Sequence, residues 1–255
     1  MAMTSDRAEI RAVLERDRPW SVYALGDLDP GMFEDCEWHV AREALVLLYR
    51  GFGVPVLFAT GEADAVPELL AESGEGGPMY LSVRPEVLDA LRSTHRIDDE
   101  EAMWRMVLGP ATLDTETSDD VRRLGAEDLP ALLRLHEDGA AEGEKPEFFA
   151  ESMLSTGAYV GMSEGDDLIA SAGTHLVSVA ESVAAIGNVY VRRDRRGQGL
   201  GTTATTAVAR TLVEMGIRTI ALNVAQTNAV AIRAYERVGF RKYCEFYEGV
   251  AVAAV

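Results

Sequence analysis

Between residues 182 and 215 the chain runs through an apolar alternating segment, then Arg196-Gly197-Gln198-Gly199-Leu200-Gly201-Thr202, then an alanine- and threonine-rich stretch of helical spacing. No other feature constrains the fold as much. Three glycines on alternate positions let main-chain N–H groups converge with no side chain between them. A helix opening directly afterwards adds unpaired amides and the positive end of its dipole. Strand, glycine loop and helix start together form a cradle for a pyrophosphate. Two better-known glycine loops are excluded by spacing. A dinucleotide fingerprint needs a glycine where Thr202 stands, and a P-loop ends in Gly-Lys-Ser/Thr, whereas no lysine lies near this loop. Three close glycines also occur in ordinary turns, so the residues downstream must decide.

At 255 residues the chain has room for one large domain or two ordinary ones, and 47% hydrophobic with 26% charged residues describes a globular protein with a real core. Its net charge of −18 is unevenly shared. Residues 1–118 carry 10 basic and 23 acidic groups, net −13; residues 119–255 carry 14 and 19, net −5. Long-range repulsion makes such a chain a poor partner for nucleic acid or an anionic membrane. Cys36 and Cys244 form no metal-binding or redox spacing, which favours a reducing compartment. The charged start, Met1 to Trp20, lacks the apolar core of a signal peptide. The apolar runs Ala44–Tyr49 and Val54–Thr60 suit buried strands and are too short to span a bilayer. A soluble, cytoplasmic protein without metal is expected, and the oligomeric state is open, a homodimer included.

The elements fall into two halves, 1–110 and 119–255. Residues 6–16 have helical spacing; Arg42–Arg50 and Val54–Thr60 read as adjacent strands, Ala65–Ser73 as a helix, Met79–Val83 as a strand, Pro85–Ser93 as a helix and Glu101–Leu108 as a strand. The polar stretch Gly109 to Asp120 reads as a linker. Beyond it come a strand at Val121–Leu124, a helix announced by Asp128-Leu129-Pro130, an exposed acidic segment around Lys145-Pro146 and a helix Glu147–Leu154. Strands follow at Ala158–Ser163, Leu168–Leu176 and Ser182–Val191. After the loop the spacing predicts a helix Thr202–Met215, a strand Thr219–Val224, a helix Ala229–Val238 capped by Gly239, and a strand Arg241–Tyr247.

Val189-Tyr190-Val191, the glycine loop, then Asn228, Tyr235 and Gly239-Phe240 together resemble the GNAT superfamily of acyl-CoA-dependent N-acyltransferases. The loop matches the family's Arg/Gln-x-x-Gly-x-Gly/Ala element, and the specific match covers residues 182–243. The resemblance implies an α/β (α+β) fold, a mixed and mostly antiparallel sheet with flanking helices. Tandem arrangements occur in the family, and residues 1–110 are compatible with a second, degenerate GNAT-like half lacking any phosphate loop. It also implies transfer of an acetyl or other short acyl group from acyl-CoA to a small-molecule or peptide amine by direct attack. A CoA-binding regulatory module or an inactive scaffold is the alternative.

For acetyl-CoA the resemblance assigns roles residue by residue. Amides of Gln198, Gly199, Gly201 and Thr202, within the loop that also holds Gly197 and Leu200, would face the pyrophosphate. Arg196, flanked by Arg192, Arg193 and Arg195, would offer cationic forks to phosphate oxygens; the same run could be a solvated strand end. The pantetheine arm would pair with the strand edge Val189–Val191, whose amides could also stabilise the oxyanion. Asn228 could bond that arm or simply cap its helix. Tyr235 would protonate the departing thiolate; the residues alone read first as a packed aromatic anchoring the helix, and the resemblance reverses that order. The strand Ser182–Val191 has no carboxylate, so the general base is left between Glu181, His175 and water.

Overall fold

The computed structural model describes residues 3–41, 43–109, 120–143, 146 and 148–254. The chain divides into two compact units, one made of Met1–Arg105, Ala225–Thr227 and Lys242–Val255, the other of Met106–Val224 and Asn228–Arg241. Where the sequence placed everything from 119 to 255 in one half, the last strand therefore lies largely with the first unit. Most of the expected linker and most of the acidic segment around Lys145 fall outside the described residues.

The first unit opens with helix α1 (Arg7–Leu14), capped by Asp6, whose carboxylate accepts from the amides of Ala8 and Glu9. Ile10, Val13 and Leu14 give α1 its buried stripe. Two short helices follow, α2 (Val22–Gly26) and α3 (Pro30–Phe33), then strands β1 (Cys36–Ala41), β2 (Ala44–Tyr49) and β3 (Val56–Thr60). Helix α4 (Val66–Ser73) leads to β4 (Met79–Val83), and α5 (Pro85–Leu91) to β5 (His95–Leu108). β1, β2 and β3 pair antiparallel in sequence, β3 pairs parallel with β4, and β4 pairs antiparallel with the closing strand β11 (Phe240–Ala253). The parallel step requires a crossover, and α4 supplies it. Leu69 and Leu70 of α4 and Val87, Leu88 and Leu91 of α5 join one core with Val46, Leu48, Leu57, Leu81 and Val83 of the strands. Each such side chain contributes about 1.5–3 kcal/mol of burial.

This unit also buries a charge. Arg105 is fully enclosed, its guanidinium 4.9 Å from the ring of Trp20, 5.0 Å from Tyr23 and 5.3 Å from Phe246, with Nη1 donating to the Trp20 carbonyl at 2.8 Å. Ring faces replace part of the lost hydration, and burial still pulls its pKa down.

Gly61, just after β3, stands at φ 92°, and a Cβ there would lie 2.0 Å from the main-chain oxygen of Glu43. Backbone cannot yield as a flexible side chain does. Gly61→Ala is expected to cost about 3 kcal/mol, from overpacking and left-handed strain together, read as an earlier urea transition at unchanged slope.

The second unit holds β6 (Val121–Arg123), α6 (Leu129–Glu137), β7 (Val160–Glu164), β8 (Asp167–Ser178), β9 (Val183–Val191), α7 (Leu200–Glu214), β10 (Thr219–Ala225) and α8 (Ala229–Val238). β6 to β9 pair antiparallel in order, and β10 pairs parallel with β9. Each half is thus a mixed, mostly antiparallel sheet with flanking helices. The helix expected at Glu147–Leu154 is instead a 3-10 stretch, Glu151–Thr156; Ser152, Ser155 and Thr156 there compete for backbone groups and favour the tighter turn. Threonines inside α7 are accommodated because Thr205, Thr206 and Thr211 donate to the carbonyls of Gly201, Thr202 and Ala207 four residues back. Among the described residues no helix is long and apolar enough to cross a membrane.

Candidate active site

β9 is where the second unit departs from regular pairing. Its parallel register with β10 runs from Val183–Thr219 to Ile186–Leu222. Beyond Ile186 it continues for five residues on β8 alone, with irregular register on either side of Gly173. Asn188 sits in this segment at φ 52°, a left-handed conformation that asparagine tolerates better than most residues. Such a bulge turns the strand away from its parallel neighbour. Val189, Tyr190 and Val191 lie beyond the register shared with β10.

The strand ends at the glycine loop. Tyr190 is buried and donates its hydroxyl to Asp138 Oδ2 at 3.1 Å, while the same oxygen accepts from the Arg193 amide at 2.9 Å. Asp138 thus ties the strand end to a short 3-10 turn, Arg193–Arg195. Gly197 at φ 77° and Gly199 at φ 82° then swing the main chain into α7, with Gly199 as its N-cap. A Cβ at either position would meet nothing within 4 Å, so positive φ and an open approach, not crowding, call for glycine there. The amides of Leu200, Gly201 and Thr202 begin α7 without carbonyl partners of the helix's own, and a Cβ at Gly201 would lie 3.5 Å from the Val191 side chain.

The arginines divide. Arg195 reaches Glu164 through Nε at 3.0 Å and Nη2 at 2.5 Å, and also meets Asp194 at 3.1 Å. Arg192 bonds Asp194 at 2.7 Å and Glu164 at 3.4 Å. Of the four arginines expected to offer forks to phosphate, these two thus have carboxylate partners. Arg196 donates Nε to the Val191 carbonyl at 3.2 Å and lies 5.7 Å over the Tyr190 ring, beside the loop.

Asn228 caps α8, accepting from the Ala231 amide at 3.0 Å. Tyr235 stands two turns along the same face, its ring edge-on to Phe240 at 6.3 Å. Burial raises its phenol to about 12, so it is a proton donor throughout the neutral range. α8 packs on α7, which brings the helix of Tyr235 against the helix that the glycine loop opens.

Residues 127–240 match the model of the Acetyltransferase (GNAT) family. They form a GNAT acetyltransferase domain. Two curated relatives are mycothiol acetyltransferases. That of Kytococcus sedentarius is 30% identical over 235 residues, covering 91% of this chain and 65% of its own. That of Corynebacterium aurimucosum is 44% identical over 64 residues, 24% of this chain and 21% of its own. The chain therefore spans less than two thirds of the length of either relative. A solved tandem GNAT protein from the clavulanic acid biosynthesis pathway shares the fold, with a TM-score of 0.55 at 14% identity over 98% of this chain and 97% of that one. In each unit an antiparallel run ends in a helical crossover to a parallel strand, β3 to β4 in the first and β9 to β10 in the second, and the glycine loop lies in the second.

Within the GNAT domain the two side-chain candidates for a base are placed very differently. Glu181 lies in the β8–β9 turn, its amide donating to Ser178 Oγ at 3.1 Å. That is the far end of β9, roughly 25 Å from Val191 at about 3.3 Å per residue. His175 lies on β8 against Gly187, where a Cβ would come within 2.2 Å of Nε2. Burial lowers its imidazole to about 4, an effect partly offset by the Asn188 side chain. Asn188 also donates to the Phe148 carbonyl and to Met153 Sδ, each at 3.4 Å. Sequence reasoning missed Asn188, Asp138 and Tyr159, whose ring fills the space over Gly173. The Gly187-Asn188 pair interrupting an apolar strand was the signal for the first.

Because His175 is held neutral, its stabilising contribution is complete above its unfolded value near 6.5 and is lost as pH falls toward about 4. The window corresponds to about 3 kcal/mol. Urea titrations at pH 7 and pH 4.5 should show a smaller acid loss in His175→Gln than in the parent; equal losses would contradict the assignment.

Proposed function

We propose that the chain is an N-acyltransferase that moves an acetyl or other short acyl group from acyl-CoA to a small-molecule amine within a ternary complex. The observation carrying this reading is the parting of β9 from β10 immediately before a glycine loop and the N-terminus of α7. The residues present fit acetyl-CoA. Open approach at Gly197 and Gly199 suits a pyrophosphate on the amides of Gln198, Gly199, Gly201 and Thr202, with Arg196 beside it. The stretch Val189–Val191, beyond the register with β10, suits the amide-rich pantetheine arm, and the side-chain amide of Asn228 could add a bond to it.

In the proposed reaction the amine nitrogen attacks the thioester carbonyl carbon, and a β9 amide stabilises the oxyanion. Collapse breaks the C–S bond, the thiolate takes the Tyr235 proton, and the proton released from nitrogen passes to water. The mycothiol relatives support a small-molecule acceptor of this class. A regulatory module or inactive scaffold is the weaker reading, since the loop, the parting of β9 from β10 and Tyr235 all persist together.

Thiol release from acetyl-CoA, screened over amines, amino acids and aminoglycosides, tests the proposal. Release dependent on one acceptor class, with one acetyl-CoA bound per chain, is the expected result. Tight acetyl-CoA binding with no acceptor-dependent release across the panel would favour the regulatory reading instead.

A further inference from the structure

Two irregularities in the β8–β9 pair cancel each other. From Ser178 with Val183 to Leu176 with Ala185 the strands keep one register. Thr174 with Ile186 and Gly173 with Gly187 stand one residue out of it, and Ser171 with Tyr190 and Ala170 with Val191 return to the first. The first step leaves His175 as an extra residue on β8, and the second sets Asn188 and Val189 of β9 opposite Ala172 alone. Each is a β-bulge, and the second undoes the offset of the first. Pairing of β9 with β10 stops at Ile186, inside this inset. The sheet therefore carries a local displacement where β9 parts from β10, without a slip of the whole strand.

The two bulges hold one another. The His175 ring lies over Gly187, where a Cβ would come within 2.2 Å of Nε2, and its imidazole bonds the Asn188 side chain. Asn188 is 7% exposed, and its Nδ2 donates to the Phe148 carbonyl and to Met153 Sδ, each at 3.4 Å. Met153 in turn packs against the core of Leu132, Leu135, Tyr159 and Tyr190. An asparagine tolerates φ 52° without such anchors, so they fix more than its backbone conformation requires. The planar peptide that follows, carrying the Val189 N–H, takes its direction from the φ and ψ of Asn188. A left-handed residue there rotates that N–H out of the direction a regular strand would give it.

We infer that Asn188 is a positioning residue of the acyl-transfer site: anchored on Phe148, Met153 and His175, it aims the Val189 amide at the acyl carbonyl. The role rests on the proposed acyl transfer, and it fixes which β9 amide meets the oxyanion and what holds that amide in place.

Calorimetric titration of the full chain with acetyl-CoA and with free CoA separates this role from packing. Free CoA lacks the carbonyl, so a lost amide contact weakens acetyl-CoA alone, whereas a loosened site weakens both. Asn188→Gly keeps the freedom for positive φ and removes the anchors. It should weaken acetyl-CoA about three- to tenfold and CoA by less than about twofold, the scale of one hydrogen bond. Infrared difference spectra of bound acetyl-CoA, labelled with 13C at its carbonyl, should show a lowered stretch in the parent that returns toward the free value in the variant. Met153→Leu removes one anchor at nearly constant volume; it should give the same selective shift, smaller, and carries the test if Asn188→Gly does not fold. Affinities for the two ligands that move together or not at all, or an unshifted carbonyl in the parent, would overturn the role of Asn188 and leave acetyl-CoA binding standing. A parent protein that binds neither ligand would overturn the proposed function with it.

Discussion

Titration of a Gly199→Glu variant with acetyl-CoA is expected to give no saturable binding, while thermal unfolding stays close to that of the parent. Gly199 caps α7 at φ 82° with open space where a Cβ would project. A side chain there clashes with nothing, so folding bears only the strain of a left-handed residue, about 1–2 kcal/mol. The glutamate, however, sets a carboxylate against the pyrophosphate on the proposed cradle. Two unit charges about 4 Å apart at an effective dielectric near 20 repel by about 4 kcal/mol, roughly a thousandfold in affinity. Gly199→Asn is the control, since asparagine tolerates this φ and carries no charge; it should keep affinity within about tenfold. Retained binding in a folded Gly199→Glu protein would show that the loop is not the cradle.

Tyr235→Phe is expected to lower turnover about 10²-fold, near 2.7 kcal/mol of transition-state stabilisation, with acetyl-CoA affinity and thermal midpoint little changed. The ring and its edge contact with Phe240 survive the substitution. Among the described residues the hydroxyl makes no hydrogen bond, so its removal orphans no partner. With the phenol held near 12, the acid form persists at every working pH. Its loss would appear only as pH climbs toward that value, so an alkaline limb below about pH 10 belongs to another group. Equal turnover with chemistry rate-limiting rejects the role, and a fall in stability matched by a fall in binding points to packing alone. An acceptor from the thiol-release screen is needed first.

Several elements could be read from local pattern because local physics decides them. Helix α8 spans the expected Ala229–Val238 with Gly239 left-handed at its end, and Met79–Val83 is a strand as read. Cap, alternation and glycine act within a few residues. β1 (Cys36–Ala41) was missed although Cys36, Trp38 and Val40 alternate with the polar Glu37 and His39. They become tolerable only through partners in space, Glu37 bonding His39 at 2.8 Å and Arg50 at 2.8 Å. β5 begins at His95, six residues before the expected start, through a charged run in which Asp99 stands at φ 52°.

The same division runs through the candidate site. Spacing by itself determined the glycine loop, the helix that follows it and Asn228 as a cap, since these rest on φ preferences and helix-end amides of contiguous residues. Only the tertiary structure decided that β9 leaves β10 after Ile186, that Glu164 and Asp194 engage Arg195 and Arg192, and that Glu181 lies a strand's length from the loop. It also decided that the last strand lies largely with the first unit. Strand pairing, ion pairing and burial join residues far apart in the chain, and their energies depend on distance in space, which no local pattern encodes.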